Sequence, residues 1–97
     1  MSLERGKILD KAKEIINGQR TNVYGTPEDS FKAIADLWTC YFKHQHPNIK
    51  LDIEPHEVAI LMALMKMGRI LSGVEATTDS YIDTCGYLAL AHDLLEN

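Results

Sequence analysis

"EVAILMALMKMGRILSGVEATTDSYIDTCGYLALAHDLL", residues 57–95, holds two apolar runs of helical period split by Ser72-Gly73 and a pair of threonines, and this stretch decides the fold. The first run starts from Asp52 to Pro55, where proline suits the first turn of a helix, so the spacing predicts a helix over 55–71 that Ser72-Gly73 ends. Thr77 or Thr78 then caps a further helix, with Asp79 in its first turn and Ile82, Tyr87, Leu90, Ala91 and Leu94 carrying it to the C-terminus. A connection of roughly six or seven residues is the length that joins antiparallel neighbours, and the two runs are therefore expected to form a helical hairpin.

In such a hairpin the facing residues have position numbers with a near-constant sum, about 150 if the turn centres on Val74 and Glu75. Asp83 then faces the level of Lys66 to Arg69, and Asp79 the level of Arg69 to Leu71. Lys66 and Arg69, at i and i+3, stand in "VAILMALMKMGRIL" among residues that are almost all apolar, so neither is expected to be simply a solvated charge. Two acids and two bases are predicted to meet on one seam at the closed end of the hairpin.

Outward from the hairpin, Ile8, Leu9, Ala12, Ile15 and Ile16 give a first helix over 3–17 that stops at Asn17-Gly18. Thr26-Pro27-Glu28-Asp29 reads as an N-cap, a first-turn proline and an acidic first turn. The second helix runs from there to about Lys43 with Phe31, Ile34, Ala35, Trp38, Tyr41 and Phe42 at helical spacing, and its aromatics predict the best packed helix of the chain. No strand-like alternation and no internal repeat occurs. The predicted architecture is an all-α, four-helix bundle in one domain, residues 1–97.

At 97 residues and 45% hydrophobic content the core is marginal for a chain standing alone, which predicts completion by a homo-dimer or higher oligomer. A net charge of -4 with no basic run gives no footprint for DNA, RNA or an anionic membrane, and it places a DNA-binding helix-turn-helix well behind the other readings. No stretch reaches the ~18 to 20 apolar residues of a membrane span. Cys40 and Cys85 fall in no metal-ligand spacing, and free thiols with no signal-peptide core predict a cytoplasmic protein.

The seam has two chemical readings. In one, Asp79 and Asp83 neutralise Lys66 and Arg69 and lock the register of the hairpin. In the other, the carboxylates at i and i+4 hold one Mg²⁺ while Lys66 and Arg69 grip the phosphates of a nucleotide, and metal-assisted water attacks phosphorus. Tyr24-Gly25 opens the second helix as turn chemistry or as a loop that meets a phosphate. Glu57 falls near His92 and Asp93, as a first-turn acid or a partner of His92, and Asp36 faces solvent unless it turns inward. His44 and His46 are expected at the surface, Met62, Met65 and Met67 as core filler, and Tyr81 and Tyr87 in core or interface.

Taken together, "VYGTPEDSFKAIADLW" (23–38), "EVAILMALMKMGRI" (57–70) and "DSYIDTCGYLALA" (79–91) resemble a family of small phage and prophage proteins over most of the chain. That family distantly resembles the MazG-like all-α nucleoside triphosphate pyrophosphohydrolases, where a helix bearing EExxE packs on one bearing ExxD and the acids hold Mg²⁺. The resemblance implies a MazG-like bundle, a nucleotide partner, catalytic and metal-binding roles for Asp79 and Asp83, and substrate contacts from Lys66, Arg69 and Tyr24. Asp79 and Asp83 match the outer acids of an EExxD stretch, with Ser80 in place of the second acid. The other half departs from the pattern: cations stand where the family has carboxylates, so the missing acids are expected from Glu28, Asp29, Asp36 or a second subunit. Otherwise catalysis is lost and nucleotide binding, or only the fold, remains; the competing reading is a non-enzymatic interaction or accessory protein in which the seam is structural.

Overall fold

The computed structural model describes residues 4–17, 26–73 and 78–96. Four helices follow in order, α1 (Arg5–Asn17), α2 (Pro27–Gln45), α3 (Pro55–Ser72) and α4 (Thr78–Glu96), with no strand among the described residues. Their ends obey local chemistry. Thr26 is extended at φ -77° and ψ 148°, and its Oγ1 accepts from the Asp29 N–H at 3.2 Å, one residue ahead of Pro27. At α3 a capping box sets the start: the Glu54 N–H donates to Glu57 Oε1 at 3.0 Å, which makes Glu57 a capping acid. Gly73 ends α3 in the left-handed region at φ 66°, donating to the Arg69 carbonyl at 3.3 Å. A side chain at Gly73 would be strained there.

The α3–α4 hairpin carries the most extensive helix contact, α1 lies along α4, and α2 lies along the first half of α3. Between α2 and α3 the core gathers Ala35, Ile53 and Val58, with Phe31, Ile34, Trp38, Leu51 and Met62 half-buried around them. The connector is tied back to α2 by the Ile53 N–H, which donates to Thr39 Oγ1 at 2.9 Å. Between α1 and α4, Ala12 and Ile82 are buried, and a Cβ at Gly86 would stand 3.3 Å from Ile16 Cγ2. Small residues at these contacts let backbones approach closely, but each buries little apolar area. Val58 is the largest fully buried side chain.

The expected packing order is therefore corrected. The best packed helix is α3, with Val58, Ala59 and Ala63 buried, whereas α2 buries only Ala35 and leaves Leu37 and Tyr41 exposed. Aromatic content predicted bulk, but among the described residues α2 packs chiefly along α3. Met65 and Met67 are exposed as well, so of the three methionines only Met62 contributes to the described core. Tyr24, Gly25, Val74, Glu75 and Thr77 lie outside the described residues.

Candidate functional site

The seam forms where the register arithmetic puts it. Lys66 Nζ stands 3.0 Å from Asp83 Oδ2, and the two side chains are only 19% and 15% exposed. Both helices are needed to make the contact: Lys66 projects from the α4-facing arc that also carries Ala59 and Ala63, and Asp83 follows Ile82 on the buried side of α4. The alanines matter here. They bring the backbones close enough for a lysine to lie along the interface and deliver its ammonium to the far helix.

The other expected members of the seam are arranged differently. Asp79 and Arg69 are both at exposed positions, so the part of the seam withdrawn from water is the Lys66–Asp83 pair. Ser80 is buried, and Thr84 Oγ1 donates to its carbonyl at 2.7 Å, so the position of the missing acid faces protein. Glu28 and Asp29 are exposed in the first turn of α2, and Asp36 is exposed and paired with Lys32 Nζ at 3.4 Å. None of these acids is brought to Asp83. His92 pairs with Glu96 at 3.5 Å and not with Glu57, and His44 and His46 are at the surface as expected.

α1 enters the site unannounced by the sequence. Ala12, Ile15 and Ile16 close over Asp83 together with Gly86 and Tyr87, leaving a crevice of about 20 Å³, room for about one water. The signal was present in Gly86, a glycine inside a helical run three residues after Asp83, whose missing side chain admits Ile16. A roomier open groove, about 480 Å³, lies farther along α4 and is lined by Asn17, Thr26, Pro27, Glu28, Leu90 and Asp93 among others. Its charged lining residues are carboxylates, which repel a phosphate.

These residues do not fit the Mg²⁺ that the MazG-like resemblance implies. A hard dication takes several oxygen ligands and a surplus of negative charge. Asp83 is neutralised by an ammonium, Asp79 is exposed a turn away, and no group of three or more His, Cys, Asp or Glu among the described residues is placed to hold a metal ion. Likewise, no helix among the described residues is long and apolar enough to cross a membrane.

A family model described as "Domain of unknown function (DUF6378)" matches residues 7–95. The chain belongs to that family. Within it, the DUF6378 chain is 35% identical over 89 residues to the "Gene 55 protein" of Mycobacterium phage D29, covering 92% of this chain and 54% of that protein. It is also 35% identical over 80 residues to the "Gene 55 protein" of Mycobacterium phage L5, covering 82% of this chain and 47% of that protein. The chain thus spans about half the length of the curated relatives it matches. The family resemblance to phage proteins holds, and no solved structure matches the chain.

Proposed function

We propose that this DUF6378 domain is a non-enzymatic helical interaction module, an accessory protein in which the Lys66–Asp83 pair is an internal lock. The single observation that carries this reading is the closed contact at 3.0 Å between two side chains that are mostly withdrawn from water. A carboxylate used for metal or proton chemistry needs access to its ligand. Here α1 covers Asp83, and the adjoining crevice is more than tenfold smaller than the ~300 Å³ of a small ligand site. The pair sets which residues of α3 face α4, and the surface left outside that contact is what meets a partner.

A second reading, a MazG-like nucleotide-binding protein or Mg²⁺-dependent pyrophosphohydrolase, draws support from where the charges converge. Lys66 and Arg69 at i, i+3 and Asp79 and Asp83 at i, i+4 fall at the loop end of one hairpin, and Lys66 and Asp83 do meet there. In it Asp79 and Asp83 serve metal and catalysis while Lys66, Arg69 and Tyr24 serve the nucleotide. It requires the Lys66–Asp83 contact to open and α1 to move.

Thermal melting separates the two. A ligand at ~100 times its Kd adds about 2.7 kcal/mol to the stability of the folded state, a rise of roughly 10 °C or more for a domain this size. We expect millimolar Mg²⁺ or Mn²⁺ with any common (d)NTP to leave the melting temperature unchanged. A metal-dependent rise that a folded Asp83→Asn variant loses would overturn the module reading and establish the second.

A further inference from the structure

One face of the hairpin has no cover among the described residues. Along α3, Ile60, Leu64, Met67 and Leu71 repeat at spacings of four, three and four, the period of a helix-packing seam, and they are between 40% and 87% exposed. On α4, Tyr81, Leu88 and Leu95 repeat every seven residues and are 49% to 60% exposed. Helical phase sets both rows on the same side: α3 turns Val58 and Met62 toward α2, α4 turns Ile82 and Gly86 toward α1, and the two rows lie opposite. α1 packs on α4 and α2 on α3, and the two rows stay exposed among the described residues.

We propose that this lower face packs on the same face of a second copy, the two α3 helices crossing antiparallel at Leu64, so that α3 and α4 of both chains enclose one four-helix core. Three further observations point to a second copy. The first is area. A folded chain of 10.9 kDa exposes about 5,600 Å² when compact, and this one exposes 7252 Å². Obligate homodimers bury ~1,000 to 2,500 Å² per partner, and a surplus of about 1,700 Å² over the whole chain leaves room for a face of that size. Its radius of gyration, 15.0 Å, likewise exceeds the ~12.5 Å of a compact domain this long.

The second is Gly68. It sits inside α3 on the uncovered side, where a Cβ would meet nothing within 4 Å, so nothing described within the chain uses its small size. A glycine in a helix interior costs about 1 kcal/mol against alanine. Ile60 and Gly68 are each four residues from Leu64, so a crossing there seats the isoleucine of one chain over the glycine of the other. The third is charge: residues 58–65 include no charged side chain, and an antiparallel crossing keeps the two copies of Glu57 apart where a parallel one would set them side by side. The partner follows from the shape: an isologous contact needs only this one self-complementary face.

This inference rests on the module reading but is tested by mass rather than by ligand response, so the two fail separately. The chain should sediment at twice its 10.9 kDa at micromolar concentration. Leu64→Glu, which sets two carboxylates against each other at the crossing, should yield a folded monomer, whereas Leu37→Glu on α2 should leave the dimer intact. Should Leu64→Glu unfold, Leu64→Cys in a Cys40→Ser/Cys85→Ser background decides: the new thiols lie at the two-fold axis and should oxidise to a covalent dimer. A monomer at about 100 µM, where a dimer of even micromolar Kd is assembled, overturns the proposal. So does a dimer that Leu64→Glu leaves intact and Leu64→Cys fails to cross-link.

Discussion

The Lys66–Asp83 pair gives the sharpest energetic expectation, through Asp83→Asn. At 3.0 Å the gross attraction is about 5.5 kcal/mol for an effective dielectric constant of ~20, most of which the desolvation of two ions offsets. The net worth of the intact pair is therefore small. Removing one partner is a different quantity, because it leaves the other charge desolvated and unmatched. Losing one half of a fully buried pair costs ~3 to 5 kcal/mol, whereas exposed pairs count for under ~1 kcal/mol. With 19% and 15% of the side chains in water and an amide oxygen still able to accept, Asp83→Asn should cost about 2 to 3 kcal/mol. That lowers the melting temperature by roughly 10 to 20 °C.

The assay is urea unfolding followed by circular dichroism at a fixed chain concentration, since self-association makes stability concentration-dependent. The double variant Lys66→Met/Asp83→Leu removes both charges and should return to within about 1 kcal/mol of the parent. A loss below ~0.5 kcal/mol for Asp83→Asn would place the pair among ordinary surface contacts and refute the lock.

Thr39→Val removes the acceptor of the Ile53 N–H at a buried residue and should cost about 1 to 3 kcal/mol in the same titration, while Thr39→Ser, which loses a methyl group but keeps the hydroxyl acceptor, should cost less than half of that. Gly86→Leu drives a side chain into Ile16, 3.3 Å from where a Cβ would start, and should destabilise by about 1 to 3 kcal/mol and speed amide exchange in α1 before α2; equal acceleration in both helices would contradict the packing of α1 on α4.

The parts legible in the sequence are those governed by local chemistry. Thr26-Pro27, Pro55 and Ser72-Gly73 mark helix ends because caps, a fixed proline φ and a left-handed glycine act within a few residues. Lys66 opposite Asp83 was legible for a related reason, since a short loop makes register a matter of arithmetic. The placement of α1 on α4 and of α2 on α3 was not, because an apolar stripe states that something covers it without saying what. The same ambiguity misdirected Met65 and Met67, which helical spacing puts with the apolar residues and the fold leaves exposed.

That ambiguity also explains why an ion pair stands in the seam at all. α3 is apolar nearly all the way round, so hydrophobic burial alone would accept several rotations of the helix against α4. Between Val58 and Gly68 its only charged residue is Lys66, and a desolvated ammonium accepts only the rotation that brings it to Asp83. On the module reading, one charge thereby decides which apolar row turns inward and which, Ile60 to Leu71, is left for a partner. Stability and specificity then separate in Lys66→Met/Asp83→Leu, which should melt near the parent yet lose its single rotation. The expected signature is a broadened sedimentation profile and poorly dispersed methyl resonances, where the parent gives one species and sharp signals. A double variant that stays uniformly dimeric with native dispersion would show that the alanine-lined contact fixes the rotation unaided, and the pair would then contribute stability alone.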